Sequence, residues 1–197
     1  MTLRTLDATD ADLWHAMRTR ASRDAFAQLF TRHADHVYNY CFRRLANWTA
    51  AEEATQATFL SIWQRTVDGR LDALRTESPI GLILWQARLA VADHARATNR
   101  RLRLVTPAPL PDDSSHSPID EWVESESVQQ RINAAMASIP DDQRDVVELV
   151  CWSDVPLADA AVALGIPLNT VKSRLARARA ALREHPALAT LKGVNDE

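Results

Sequence analysis

Glycine is scarce: only Gly69, Gly81, Gly165 and Gly193 occur in 197 residues. So few leave no room for a Gly-rich phosphate loop, and neither a G-x-S-x-G elbow nor an H-E-x-x-H helix is present. Cysteine is limited to Cys41 and Cys151. Two widely spaced thiols make neither a disulfide framework nor a zinc site. Both lie in apolar helical patterns and are expected to be buried and reduced. No stretch approaches the roughly 20 apolar residues of a membrane span. The N-terminal residues include Asp7, Asp10 and Asp12 rather than the apolar run of a signal peptide. The expectation is a cytoplasmic protein that is not an enzyme, has no metal or cofactor, and makes no membrane contact by itself. Net charge is -3, so any affinity for a polyanion must come from a local patch.

No window alternates apolar and polar residues as a half-buried strand does, and helical spacing dominates. The fold class is all-α. A first helix is expected from about Ala11 to Arg20. Ser22 can cap a second, through Phe26, Leu29, Phe30, Val37, Tyr40, Cys41 and Leu45. Thr49 and Glu52 have the spacing of a capping box and would open a third, with Ala54, Phe59, Ile62 and Trp63. Ser78-Pro79 would start a fourth, reaching toward Arg103. Between Val105 and Gln130 the composition changes: six acids, four prolines and no Lys or Arg. Residues 106–126 read as a mobile, protease-sensitive linker that could span on the order of 70 Å. Helices are expected again over Val128–Ala137, from Pro140 with Val146, Val147, Leu149 and Val150 inward, and from Pro156 to Leu164. Two small helical domains, 1–104 and 127–197, flank an acidic Pro-rich linker at 105–126.

The last helix is the most informative. "GIPLNTVKSRLARARAALRE" carries five positive charges before its first acid, Glu184. Asn169 is expected to cap it. Val171, Leu175, Ala178 and Leu182 fall at i, i+4, i+7, i+11 and form one inward stripe. Lys172, Ser173, Arg174, Arg177, Arg179 and Arg183 lie elsewhere on its surface. A short helix and a Gly165-Ile166-Pro167 turn precede it. Helix, Gly-containing turn, helix with a basic face: this is a helix-turn-helix. In that motif the second helix enters the major groove. Acids there would be repelled by phosphate.

These segments carry a resemblance. "SIPDDQRDVVELVCWSDVPLADAAVALGIPLNTVKSRLARARAALRE" resembles the promoter-reading region four of ECF-type sigma factors of bacterial RNA polymerase. "FAQLFTRHADHVYNYCFRRL" and "AEEATQATFLSIWQR" are similar to the polymerase-binding part of region two. "SPIGLILWQARLAVADHARATNRRLR" resembles its melting and minus-10-reading part. The resemblance implies a subunit that directs core RNA polymerase to promoter DNA and helps open it. Glu52, Glu53, Gln56 and Phe59 would dock the polymerase. Leu89, Asp93, Arg96, Arg100 and Arg101 would meet the separated minus-10 strand. Asn169, Thr170, Lys172, Ser173, Arg174, Arg177 and Arg183 would read the minus-35 element. An anti-sigma factor is a further candidate partner. The family's D-A-E-D is here Ala50-Ala51-Glu52-Glu53, one docking carboxylate fewer. Leu89 stands where many members have an Asn that can hydrogen-bond a flipped base. The alternative is a stand-alone helix-turn-helix regulator that never joins polymerase; such proteins usually dimerise on paired half-sites, and no dimer seam is evident.

Other features have plainer readings. His33 and His36 share a helix face without a third ligand at helical spacing, so a solvated face is the default. Trp63 and Trp85 fit apolar faces and are expected in the core, while Trp48 sits at a helix junction. The cluster Arg96, Arg100, Arg101, Arg103 suits a helix C-terminus as well as phosphate.

Overall fold

The computed structural model describes residues 8–104 and 131–189, so the linker expected at 105–126 lies outside the described residues. Among the described residues every regular element is helical. The N-terminal half contains α1 (Asp10–Arg20), α2 (Arg23–Leu45), α3 (Trp48–Val67) and α4 (Ile80–Leu104). The C-terminal half holds α5 (131–138), α6 (Asp141–Val147), α7 (Leu157–Leu164), α8 (Leu168–Glu184) and the short α9 (Pro186–Ala189).

Local chemistry sets the helix starts. Thr9 and Asp12 form a reciprocal capping box on α1. Ser22 Oγ accepts from the Ala25 amide at 3.2 Å and opens α2. For α3 the expected Thr49–Glu52 box is absent. Asn47 stands at extended φ -146 and accepts from the Ala50 amide at 2.9 Å. Thr49 is already inside the first turn, where its hydroxyl has no free amide to reach. Ala21 and Ala46 close α1 and α2 in the left-handed region at φ 48 and 49, strained for a residue with a Cβ.

Apolar spacing then packs the helices. Leu13, Trp14 and Met17 of α1, Leu29 and Val37 of α2, and Phe59 and Ile62 of α3 surround Ile83, Leu84 and Ala87 of α4. Trp14 Nε1 donates to the Asp72 carbonyl at 2.9 Å, which ties α1 to the loop before α4. Asp10 bridges Arg32 and His33, each at 2.6 Å. Burial alone would raise the Asp10 carboxyl, but Arg32 and His33 outweigh it and hold the group below its usual value. His33 is therefore a structural hydrogen-bond partner of Asp10, not a bare solvated side chain. Cys41 is buried as expected, and burial pushes its thiol up to about 11. Cys151 is exposed, against expectation. Trp63 is half-buried beside Phe26, whereas Trp85 is 38% exposed. Trp48 is 67% exposed and leans on Phe42, ring centroids 4.3 Å apart.

The reason for the outward Cys151 lies in an element that the periodicity did not announce. After α6 the chain widens into a π-turn, Glu148–Trp152, closed by the Ser153 amide on the Glu148 carbonyl at 3.1 Å. The wider turn rotates the register, as π-bulges do. Glu148 and Leu149 stay inward, while Val150 is only half-buried and Cys151 and Trp152 face out.

The sequence leaves open whether the two halves touch. In the structure they share one continuous core, from α1 through α4 to Ala160 and Ala163 of α7 and Val171 of α8. Gly81 makes this possible. A Cβ there would lie 2.7 Å from the Asp159 carbonyl oxygen and 2.9 Å from Val162 Cβ, so α4 approaches α7 more closely than any side chain permits. Beside this contact, Arg44 meets Asp145 and Glu148, each at 2.6 Å, and Arg88 meets Asp145 at 3.3 Å. The Arg44–Glu148 approach is an ion pair whose N–H direction is not aligned on the oxygen. Burial raises the Glu148 carboxyl, against the pull of Arg44.

Asn47→Ala should lower the stability of this fold by about 1 kcal/mol, the usual worth of an N-cap. Thr49→Ala should change it within error. Urea unfolding followed by far-UV circular dichroism compares the two; a larger effect at Thr49 would return the cap to that residue.

Candidate nucleic-acid interface

The helix-turn-helix is built by one left-handed residue. Gly165 ends α7 at φ 66, and the Ile166 amide reaches back to the Ala161 carbonyl at 3.1 Å. This is the bonding of a Schellman close, which favours glycine. Pro167 follows at φ -60 and starts α8 directly. Helix α8 therefore begins at Leu168, and Asn169 is an exposed residue of its first turn, not its cap. The fixed proline φ sets the start two residues before the point that Asn169 suggested.

Val171, Leu175 and Ala178 are buried and Leu182 is partly buried, so the predicted stripe seats α8 on the domain. The opposite surface is cationic. Lys172, Ser173, Arg177, Arg179 and Arg183 are all exposed, and the intervening Ala176 and Ala180 leave low relief between them. Arg177 lies one turn beyond Ser173, and its Nε donates to the Ser173 carbonyl at 3.3 Å. Arg174 differs: it turns back to Asp142 of α6 at 3.1 Å and is largely covered. Thr170 is half-buried, with its carbonyl accepting from Ser173 Oγ at 3.0 Å. Among the described residues, Lys172, Arg177, Arg179 and Arg183 are thus the α8 cations with no acidic partner, although Arg179 also reaches Cys151 Sγ at 4.0 Å.

A second surface lies between α3 and α4. Glu53 and Ser61 of α3 and Gln86, Leu89, Asp93 and Arg100 of α4 line one open groove. Glu53 reaches His94 at 3.7 Å, Asp93 pairs with Arg96 at 2.6 Å, and Gln86 donates to Ser61 Oγ at 2.7 Å. The structure brings together the predicted docking carboxylate Glu53 and the predicted strand contacts Leu89, Asp93, Arg96 and Arg100. The Arg101 side chain lies outside the described residues. An exposed i, i+3 ion pair such as Asp93–Arg96 contributes under about 1 kcal/mol, so Arg96 can exchange its carboxylate for a phosphate at little cost. Gln86, Ser61 and His94 are groove residues that the sequence reading passed over. The spacing 86, 89, 93, 96, 100 was the available signal.

Glu52, Glu53 and Gln56 are exposed on α3. Phe59 is not: it is 4% exposed, its ring against Phe26 and Phe30. Its place in the docking motif is a scaffold position, and it cannot itself touch a partner. The exposed face of α3 continues instead through Leu60 and Val67, 57% and 60% exposed.

Comparison with known proteins agrees with both halves. The family description "Sigma-70 region 2" matches residues 29–101, and "Sigma-70, region 4" matches residues 129–182. The ECF RNA polymerase sigma factor SigM of Mycobacterium tuberculosis is 33% identical, over 89% of this chain and 84% of its own. The ECF RNA polymerase sigma factor RpoE of Cereibacter sphaeroides is 28% identical, over 91% and 96%. Among solved structures, CnrH in complex with the cytosolic domain of CnrY superposes with a TM-score of 0.61 at 19% identity, covering 94% of this chain and 98% of that one. The sigma factor RpoE of Bartonella quintana, in complex with the anti-sigma factor NepR, gives 0.56 at 20% identity, covering 88% and 99%. The fold is that of a sigma-70 protein with regions 2 and 4. The chain belongs to the ECF sigma factors of RNA polymerase.

Gly165→Ala should cost about 1 kcal/mol. Nothing lies within 4 Å of the added Cβ, so the backbone penalty at φ 66 acts alone. Gly165→Asn should cost less. Thermal unfolding of the full chain tests this, and equal losses for the two would point to packing instead.

Proposed function

We propose that this ECF sigma factor divides its work among three surfaces. The exposed cationic face of α8 reads minus-35 duplex, with Lys172, Ser173 and Arg177 in the major groove. The α3–α4 groove and the C-terminal part of α4 hold the separated minus-10 strand, through Asp93, Arg96 and Arg100. The outer face of α3, with Glu52, Glu53 and Gln56, docks core polymerase. Residues 1–104 and 127–197 form the region-two and region-four domains, and the family matches at 29–101 and 129–182 lie within them. The polymerase performs the chemistry, in the cytoplasm; this subunit supplies position and strand capture. Among the described residues no helix is long and apolar enough to cross a membrane.

The observation that carries the reading is α8 itself: exposed cations on one side, a buried stripe on the other, and no acid before Glu184. Phosphate contacts fix position and base contacts specify sequence. Arg177 and Lys172 are free to reach a base edge, whereas Arg174 is held by Asp142. Leu89 offers an apolar surface to a flipped base and no hydrogen bond, so minus-10 selectivity falls to its polar neighbours. On α3, Leu60 and Val67 extend the acidic docking row with apolar area, a mixture that suits a protein partner. The family assignment leaves the stand-alone regulator without support. An anti-sigma protein is proposed as a further partner, because related sigma factors are seen bound to one.

Run-off transcription with core polymerase, on promoters changed base by base, tests the arrangement. An Arg paired with guanine contributes roughly 1–3 kcal/mol. Arg177→Ala should therefore reduce transcription about tenfold or more and relax one minus-35 position. Arg183→Ala should weaken all promoters alike and flatten the salt dependence. Unchanged rates at every position for Arg177→Ala would remove α8 from the groove.

Glu53→Arg with Gln56→Ala should weaken co-migration with core polymerase about tenfold or more while leaving the helical signal unchanged. Wild-type affinity in this pair would move docking away from α3.

A further inference from the structure

Asn169 is a capping residue type that caps nothing. Pro167 sets the start of α8, so Asn169 falls inside the first turn. There it has lost the role for which Asn is favoured at a helix start, because the amides it would accept from are no longer within its reach. The side chain is exposed, and it makes no hydrogen bond among the described residues.

Its neighbours on the same face are equipped differently. Lys172, Ser173 and Ala176 follow at i+3, i+4 and i+7 and are all exposed, so the four share one outward surface. Ser173 Oγ donates to the Thr170 carbonyl at 3.0 Å, which leaves its hydroxyl as an acceptor. Lys172 and Arg177 carry donors alone. Within α8, Asn169 is the one side chain with both an amide donor and a carbonyl acceptor. Ala176, one methyl in size, adds little bulk between this residue and the next turn of the face.

The base edges of duplex DNA distinguish these groups. Guanine presents two acceptors in the major groove, N7 and O6, and a cationic side chain complements both. Adenine presents an acceptor, N7, beside a donor, the N6 amino group, and a carboxamide complements that pair. A lysine or arginine finds no acceptor-seeking match at N6. In a helix-turn-helix the N-terminal residues of the second helix are the ones that contact base edges, and Asn169 is the second residue of α8.

We propose that Asn169 reads an adenine in the minus-35 element, its Nδ2 donating to adenine N7 and its Oδ1 accepting from the N6 amino group. This inference rests on the minus-35 reading of α8 given above and deepens it by assigning a base to a residue. Asn169 and Arg177 are eight residues apart in sequence, which is about 12 Å along a helix axis. Base pairs rise by about 3.4 Å, so the adenine lies within roughly three to four base pairs of the position that Arg177 reads. The helix then carries two unlike readers, a neutral one in its first turn and a cationic one two turns on.

Run-off transcription with core polymerase and the full chain, on promoters changed base by base across the minus-35 element, tests the assignment. Wild type should prefer adenine at one position by about tenfold, and Asn169→Ala should lose that preference while keeping the others. Replacing that adenine by 7-deazaadenine, which lacks the N7 acceptor and still pairs with thymine, should slow wild type several-fold and leave Asn169→Ala unaffected. Asn169→Asp, which only accepts, should exchange the adenine preference for cytosine, whose N4 amino group donates. Asn169→Ala should unfold at or above the wild-type temperature, since no cap is removed and Ala is the better helix former. An unchanged base profile in Asn169→Ala, or equal sensitivity of wild type and variant to the deaza base, overturns the inference and leaves α8 in the groove. A uniform loss on all promoters with the profile intact makes Asn169 a phosphate contact and overturns it as well. If wild type is indifferent to every minus-35 base, the reading of α8 fails and the inference with it.

Discussion

Helix α4 can approach α7 as it does only because residue 81 has no side chain. Much of the arrangement follows from that single close contact. It lets two bundles, each too small for a large core of its own, share one continuous interior. It sets Arg44 and Arg88 within reach of Asp145 and Glu148. It buries Asp159, which then needs the Thr76 hydroxyl. Burying a charge is unfavourable unless it is paired, and breaking such a pair from one side is worse than never having made it. The polar groups around the contact thus make it selective: other orientations of the domains would leave Glu148 or Asp159 without a partner.

The charge distribution follows the same division. A chain with net charge -3 still offers a cationic surface, because its charges are sorted by element. On α8 most of the bases face outward, the helix's one acid is its last residue, Glu184, and Asp142 of α6 holds Arg174. On α4 the helix's single acid, Asp93, pairs with Arg96, which thus has a local counterion to exchange. Under the proposed division of work, duplex recognition and strand capture place different demands on a helix, and the two helices differ in charge accordingly.

Most of this architecture was legible in the sequence, for definite reasons. Helical spacing fixes which residues turn inward, so Val171, Leu175 and Ala178 could be named before any coordinates. Gly165 and Pro167 have one physical use each, which located the turn. The failures also have causes. A cap is decided by which residue adopts extended φ and ψ, and Asn47 took that place from Thr49. Asn169 lost the same role to the preset φ of Pro167. A motif does not distinguish residues that touch a partner from residues that hold the helix, so Phe59 was assigned to docking although two phenylalanine rings enclose it. The π-turn needs one residue more than α spacing allows, and it put Cys151 outside. The contact between the halves had no local signature beyond a glycine at 81, and a linker's length bounds reach rather than docking.

The cationic face of α8 also has a consequence for the helix that carries it. Arg174 and Arg177 are three apart, and Arg179 and Arg183 four apart, so like charges stand one turn from each other. Such pairs each weaken a helix by about 0.2–0.5 kcal/mol. In the free protein the buried stripe of Val171, Leu175 and Ala178 holds α8 against this repulsion. Phosphates that neutralise the arginines remove it. On the proposed reading, binding and folding of this element are thermodynamically linked: α8 is more firmly formed on DNA than off it, and the ionic strength that weakens such a grip also relieves the strain the helix carries alone.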